Sequence, residues 1–161
     1  MATFGRVTAV LVKTASVMTA AAVAVIALVI PYEVFGRYVL GRMPVWSGEA
    51  ATYALVWASM TGSAVGLKKG YQVSMNLLVN RLPRMPFLVA TGGMYAGMLV
   101  FLGVMTWFGL LQTIVNHHQR SAAIGIPMSL PYLALPVGFA LMLLVTIEQC
   151  WRFFHSEAKE R

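Results

Sequence analysis

Few side chains in this sequence can do chemistry, and their spacing limits what they can do. All five acidic residues are glutamates, and aspartate is missing. The single cysteine, Cys150, cannot form an internal disulfide, a CxxC redox pair or a multi-cysteine metal site, and it reads as a small packed apolar residue. His117 and His118 are adjacent, so on a helix their rings diverge by about 100°. No third ligand is evident beside them, and a haem would want histidines inside an apolar span, so neither metal nor cofactor is expected. Glu33 and Arg37, four residues apart, share a face if their helix reaches that far. No nucleophile with its base, phosphate-binding loop or dinucleotide fingerprint is present, so no enzyme is expected.

The elements that position these residues are apolar helices. The chain of 161 residues is 59% hydrophobic and only 11% charged, against roughly 25% charged in soluble domains. The charges are segregated. None falls at 14–32, 50–67, 85–119 or 121–147, stretches of 19, 18, 35 and 27 residues. About 20 apolar residues cross a bilayer core. The expected fold is therefore an all-α integral membrane protein, one domain over 1–161, with four transmembrane helices near 13–33, 49–68, 87–115 and 130–152. The first apolar run outlasts the hydrophobic region of a signal peptide, and Ala20-Ala21-Ala22 lies inside it, so the segment is expected to stay as an anchor.

Lysine and arginine set the orientation. With four spans, Arg6, Lys13, Lys68, Lys69, Arg81, Arg84, Arg152, Lys159 and Arg161 share one side, and Arg37, Arg42 and Arg120 the other. Nine against three places both termini in the cytoplasm. The net charge of +7 is then a topology signal and an attraction to membrane lipids, with no nucleic-acid partner.

Local signals refine the elements. Ser47 reads as the N-cap of the second helix, with Glu49 in its first turn and Trp46 in an interfacial aromatic belt. Ala58, Gly62 and Gly66 repeat at four-residue spacing, as do Gly93 and Gly97, and such ridges admit close helix approach. Lys68-Lys69-Gly70 is expected to stop the second span. The cytoplasmic loop that follows, with Gln72 and Asn76, is expected to form a short interfacial helix placing Val73, Leu77 and Leu78 on one face and Asn76, Asn80 and Arg81 elsewhere. Pro83 and Pro86 then bracket the start of the third helix. Near the fourth, Pro127 falls in a loop and Pro131 in the first turn. Pro136 removes its own bond to the Tyr132 carbonyl and is expected to kink the outer part of the helix.

The run VFGRYVLGRMPVWSGE resembles the signature that follows the first helix in the small membrane subunit of TRAP transporters, the DctQ-like family. It matches at Val34, Phe35, Arg37, Tyr38, Val39, Pro44, Trp46 and Glu49. GIPMSLPYLALPVG resembles the family's second signature, at Gly125, Ile126, Pro127, Tyr132, Pro136 and Gly138. The chain departs from the pattern where Gly48 replaces an acid and Thr52 an arginine. After the second span the family tends to read R-x-G-x-H-I-x-V-D, where this chain has Lys68, Gly70, Gln72, Val73, Met75 and Asn76, so neutral polar Gln72 and Asn76 stand at the His and Asp positions.

The resemblance implies a tripartite transporter of the bacterial inner membrane. A periplasmic substrate-binding protein captures an organic acid, and a large many-span subunit moves it with sodium. The small subunit scaffolds the large one and helps dock the binding protein. Arg37, Tyr38, Trp46, Glu49 and Tyr132 are the expected interface or docking residues. Pro44, Gly125, Pro127, Pro136 and Gly138 are expected to shape the loops and helix starts. The alternative is a membrane-anchor subunit of a respiratory or quinone-linked enzyme, which the placement of the histidines disfavours. A stand-alone multidrug-type transporter would need an acid buried in a span, whereas Glu33 and Glu49 lie near outer ends.

Overall fold

The computed structural model describes residues 2–41, 44–79 and 84–159, with the side chains of 2–4, 71–88, 154 and 156–159 outside that description. Arg42, Asn80, Arg81, Pro83 and Arg161 lie outside the described residues, and so do the side chains of Gln72, Val73, Asn76, Leu77 and Leu78. The described chain is built of helices: α1 (Ala2–Tyr38), α2 (Val45–Val79), α3 (Arg84–Val115), a 3-10 turn (Asn116–His118), α4 (Ser129–Tyr132) and α5 (Ala134–Lys159). The helices form a row. α1 packs on α2, α2 on α5 and α5 on α3, with a lesser contact between α1 and α5.

Several boundaries differ from expectation, and each difference has a physical reason. α2 runs without interruption through Lys68-Lys69-Gly70 to Val79. Leaving an apolar layer does not end a helix, and Lys, Leu and Met are good helix formers; Gly70 alone costs only about 1 kcal/mol against alanine. The expected separate interfacial helix is thus the last part of α2. α1 likewise continues past Pro31 to Tyr38. Between α4 and α5, Leu133 keeps helical dihedrals (φ −57°, ψ −25°), its amide donates to the Ser129 carbonyl at 2.8 Å, and its carbonyl accepts from the Val137 amide at 3.2 Å. The interruption between the two helices therefore falls where Pro136 has no N–H to offer the Tyr132 carbonyl.

Among the described residues, three segments are long and apolar enough to cross a membrane: Gly5–Tyr38, Val89–His118 and Ser129–Phe153. α2 is not among them. Its middle carries Ser59, Thr61, Gly62, Ser63 and Gly66, and α2 lies between α1 and α5. Polar groups facing a neighbouring helix need not be dissolved in lipid. Thr61 is buried, and its hydroxyl meets that of Thr19 at 2.7 Å while also donating to the Trp57 carbonyl at 2.7 Å.

Small residues let the row close up. A β-carbon added at Gly138 would stand 2.6 Å from Met60 Cβ, which joins α5 to α2. One added at Gly109 would stand 3.1 Å from the Pro136 nitrogen, joining α3 to α5, and one at Gly62 would stand 3.3 Å from Thr19 Cγ2, joining α2 to α1. Ala15, Ala58, Ala64 and Ala134 fill the same seams and are buried.

Candidate functional site

The two ends of the row differ in kind. At the end away from the termini, α1 finishes with the Glu33–Arg37 pair, Oε1 to guanidinium 3.3 Å, partly exposed. Gly41 then turns the chain with φ +61°. α2 starts at Val45, so Ser47 is not its N-cap. Ser47 is buried inside the first turn, and its hydroxyl donates to the Pro44 carbonyl at 2.8 Å. Trp46 leans on Tyr32 with ring centroids 6.0 Å apart, and Tyr38 stands 79% exposed.

Glu49 therefore falls beyond the first turn of α2, just before the uncharged run Ala50–Leu67. It reaches the loop between α3 and α4. Its carboxylate accepts hydrogen bonds from the Ser121 hydroxyl, from the Ala123 amide at 3.2 Å and from the Ile124 amide at 3.2 Å. The Ser121 hydroxyl first, then the Ala123, Ile124 and Ala122 amides, hold this carboxyl below the usual carboxylate range, against an opposing push from desolvation.

The loop that Glu49 grips is folded by its own residues. Gly125 has φ +75°, a conformation that side chains disfavour. Its amide donates to the Ser121 carbonyl at 3.1 Å, and the Ser121 amide donates to the Ile126 carbonyl at 2.9 Å. Arg120 and Pro127 face each other in an antiparallel bridge. The bonds of that bridge come from Ser121 and from the Met128 amide, which donates to the Gln119 carbonyl at 2.9 Å. Neither needs an N–H at residue 127, so proline fits. The Tyr53 hydroxyl donates to Met128 sulfur at 3.4 Å, a second tie between α2 and this segment.

The two stretches singled out in the sequence thus meet in space. Glu49 of the first clasps the loop that carries Gly125 and Pro127 of the second, while Gly138 of the second packs on Met60 of α2. Arg37, Trp46 and Tyr38 do not join this cluster: they sit on the α1–α2 corner. Tyr132 is half-buried in α4. Gly66, Gly93 and Gly97 have open space where a side chain would go, so within this chain they make no close helix contact. Sequence reasoning missed Ser121, Tyr53 and Gly109. A hydroxyl preceding a glycine turn was the available hint for Ser121; nothing local marked the other two.

The other end holds a buried charge cluster that the sequence did not reveal. Lys68 was expected in a loop, but it lies within α2 and points inward. Its ammonium is 3.2 Å from Glu148 Oε2 and 3.3 Å from the Thr8 hydroxyl. Arg152 lies 2.7 Å from Glu148 Oε1. Glu148 is only 4% exposed, so two cations compensate one buried carboxylate and bind α1, α2 and α5 together. Gln149 adds a bond to the Leu67 carbonyl at 3.1 Å. Lys69, the next residue, is exposed.

Chemically, both sites hold helices together. The acceptor positions of Glu49 are occupied by loop donors, and Glu148 is neutralised by its own neighbours.

Known proteins with this pattern are transport components. Residues 26–156 match the family model described as tripartite ATP-independent periplasmic transporters, DctQ component. The C4-dicarboxylate TRAP transporter small permease protein DctQ of Rhodobacter capsulatus is 34% identical over 113 residues, covering 68% of this chain and 46% of that protein. The sialic acid TRAP transporter small permease protein SiaQ of Vibrio cholerae is 24% identical over 138 residues, 83% of this chain and 77% of that one. The isethionate TRAP transporter permease protein DctMQ of Oleidesulfovibrio alaskensis is 27% identical over 100 residues, 61% of this chain but only 16% of that protein. The match thus spans about half the length of the first of these relatives and about a sixth of the last. These relatives are permease proteins of transporters and not enzymes. The chain belongs to the DctQ component family of tripartite ATP-independent periplasmic transporters.

Proposed function

We propose that this protein is the small membrane subunit of a TRAP-type secondary transporter in the bacterial inner membrane, crossing it four times with both termini in the cytoplasm. It scaffolds a large sodium-coupled transport subunit and helps dock a periplasmic substrate-binding protein during uptake of an organic acid. The observation that carries this reading is the use made of the carboxylates at the two ends of the row. Glu49 and Glu148 are both engaged in ties between segments of the chain, which suits a static scaffold better than a moving ion carrier.

Three further features support it. α2 is sheltered between α1 and α5, so its hydroxyl-bearing middle serves as the fourth span. The faces of α3 that carry Gly93, Gly97, Val100 and Trp107 are open for packing against a larger membrane protein. In the DctMQ permease protein, a segment similar to this chain shares one polypeptide with a much longer remainder, as expected if the two parts work together. The relatives are named for C4-dicarboxylates, sialic acid and isethionate, all organic acids, so an organic anion is the substrate class.

Uptake of labelled organic anions into cells tests this. Deleting this chain while keeping the large subunit and binding protein abolishes sodium-dependent uptake. Uptake that persists unchanged contradicts the scaffold role.

A further inference from the structure

A groove of about 670 Å³ runs along the α1–α2 seam. Ser16, Ala20, Val23 and Ala24 line it from α1, and Gly62 and Gly66 from α2. Its walls are almost wholly apolar, and it opens to the surroundings of the helices. From Ser16 to Ala24 it extends about 12 Å along α1. A bilayer core is about 30 Å thick, so the groove is close to one leaflet deep. A crossing helix would need about twice that length to seat itself, whereas an acyl chain of one leaflet fits.

The end of the groove nearest the termini is basic. Lys13 precedes Ser16 by three residues and Ala20 by seven, which places it on the same face of α1. Arg6 lies a further seven residues down that face. Lys69 follows Gly66 by three and Gly62 by seven, on the matching face of α2. All three cations are exposed, and among the described residues none of them carries an ion pair. Among the described side chains, the acid at this end, Glu148, is buried against Lys68 and Arg152. Lys68 is turned about 100° from Lys69 around the helix, so the cluster and the groove use different faces.

We propose that the α1–α2 groove binds an anionic phospholipid, with one acyl chain lying along Ala20, Ala24, Gly62 and Gly66 and the headgroup phosphate held by Lys13, Lys69 and Arg6. Basic residues at the membrane-surface end of an apolar cleft recognise phosphate by charge, and each contributes roughly a fivefold gain in affinity near a membrane surface. A lipid seated there fills the seam between α1 and α2. The proposal requires only that the helices lie in a membrane, so it stands or falls apart from the transporter assignment.

Native mass spectrometry of the full chain in detergent tests it, with phosphatidylglycerol and phosphatidylcholine of identical acyl chains added in equal amounts. The expected result is at least fivefold greater retention of phosphatidylglycerol. Lys13→Gln and Lys69→Gln each lower that preference about fivefold, while Arg120→Gln, at the opposite end, leaves it unchanged. Gly66→Leu, which fills the groove, reduces retention of both lipids. Equal retention of the two lipids, or a preference that survives the Arg6→Gln/Lys13→Gln/Lys69→Gln triple variant, overturns the proposal. In native membranes, a photo-crosslinking residue in place of Ala20 should yield a phospholipid adduct. A crosslink to a polypeptide there would show that a partner helix owns the groove and would also overturn it.

Discussion

Glu49 shows how one residue fixes a loop. Its carboxylate is the acceptor for the Ser121 hydroxyl and for the Ala123 and Ile124 amides, of which the Ile124 amide has a second acceptor in the Ser121 hydroxyl oxygen at 3.3 Å. Glu49→Ala removes those acceptors together, and the Ser121–Ile126 loop of the detergent-solubilised protein should then become cleavable by protease while the wild type resists. The pH dependence follows from the sign of the shift. The folded carboxyl titrates below its ordinary value, so its contribution is fully present above the unfolded pKa and fades as pH falls through the lower folded one. Thermal melts of the detergent-solubilised protein should therefore lose stability on acidification in the wild type. Glu49→Gln should be less stable at neutral pH and should lose less on acidification. An equal acid response in both proteins would remove Glu49 as its source. Glu148 works differently, because it is buried between two cations. Glu148→Ala leaves the largely buried Lys68 without its carboxylate, whereas Arg152, 67% exposed, returns to solvent, and the loss should be about 1–3 kcal/mol. Lys68→Met with Glu148→Met should recover much of that loss, and denaturant titration reads both.

Between helices, the glycines separate into two groups that sequence spacing alone cannot distinguish. Gly138→Ala drives a β-carbon into Met60 and should destabilise the chain by about 1–3 kcal/mol. Gly93→Ala and Gly97→Ala meet open space, so each should be neutral or stabilising by up to about 1 kcal/mol in the isolated chain. If the large subunit packs on that face of α3, Gly97→Leu should weaken the complex while leaving the isolated chain's stability intact. The helical character of the fold was legible because uncharged runs of 18 or more residues leave little alternative to helices. The limits of α1 and α2 were not legible, because lysines and glycine signal the edge of a membrane but do not end a helix. The role of Gly125 could be read from its glycine–proline context. Glu49's grip on residues 72 to 75 positions later in the chain could not, since it depends on how α2 and the loop pack in space. The Lys68–Glu148 pair was hidden for the same reason.

At the scale of the molecule, α1 and α3 flank a row whose middle is α2 and α5, and the flanks carry exposed Val, Leu, Phe and Trp along much of their length. Such a row has two broad apolar sides, and a scaffold needs at least one of them covered by another protein. The proposed topology can be read directly in a background with Cys150 replaced by alanine. Arg120→Cys should react with a membrane-impermeant maleimide on intact spheroplasts, and Lys69→Cys should react only after permeabilisation. The reverse pattern would invert the orientation, and labelling of both from outside would remove α3, which lies between them, as a span. Assembly with a large membrane subunit is tested most directly by affinity purification. The chain is tagged at its C-terminus, extracted from native membranes in mild detergent, and its companions are identified by mass spectrometry. A stoichiometric large membrane protein with more than about ten spans is the predicted result; a chain that purifies alone as a homo-oligomer, or with a soluble redox enzyme, would contradict it.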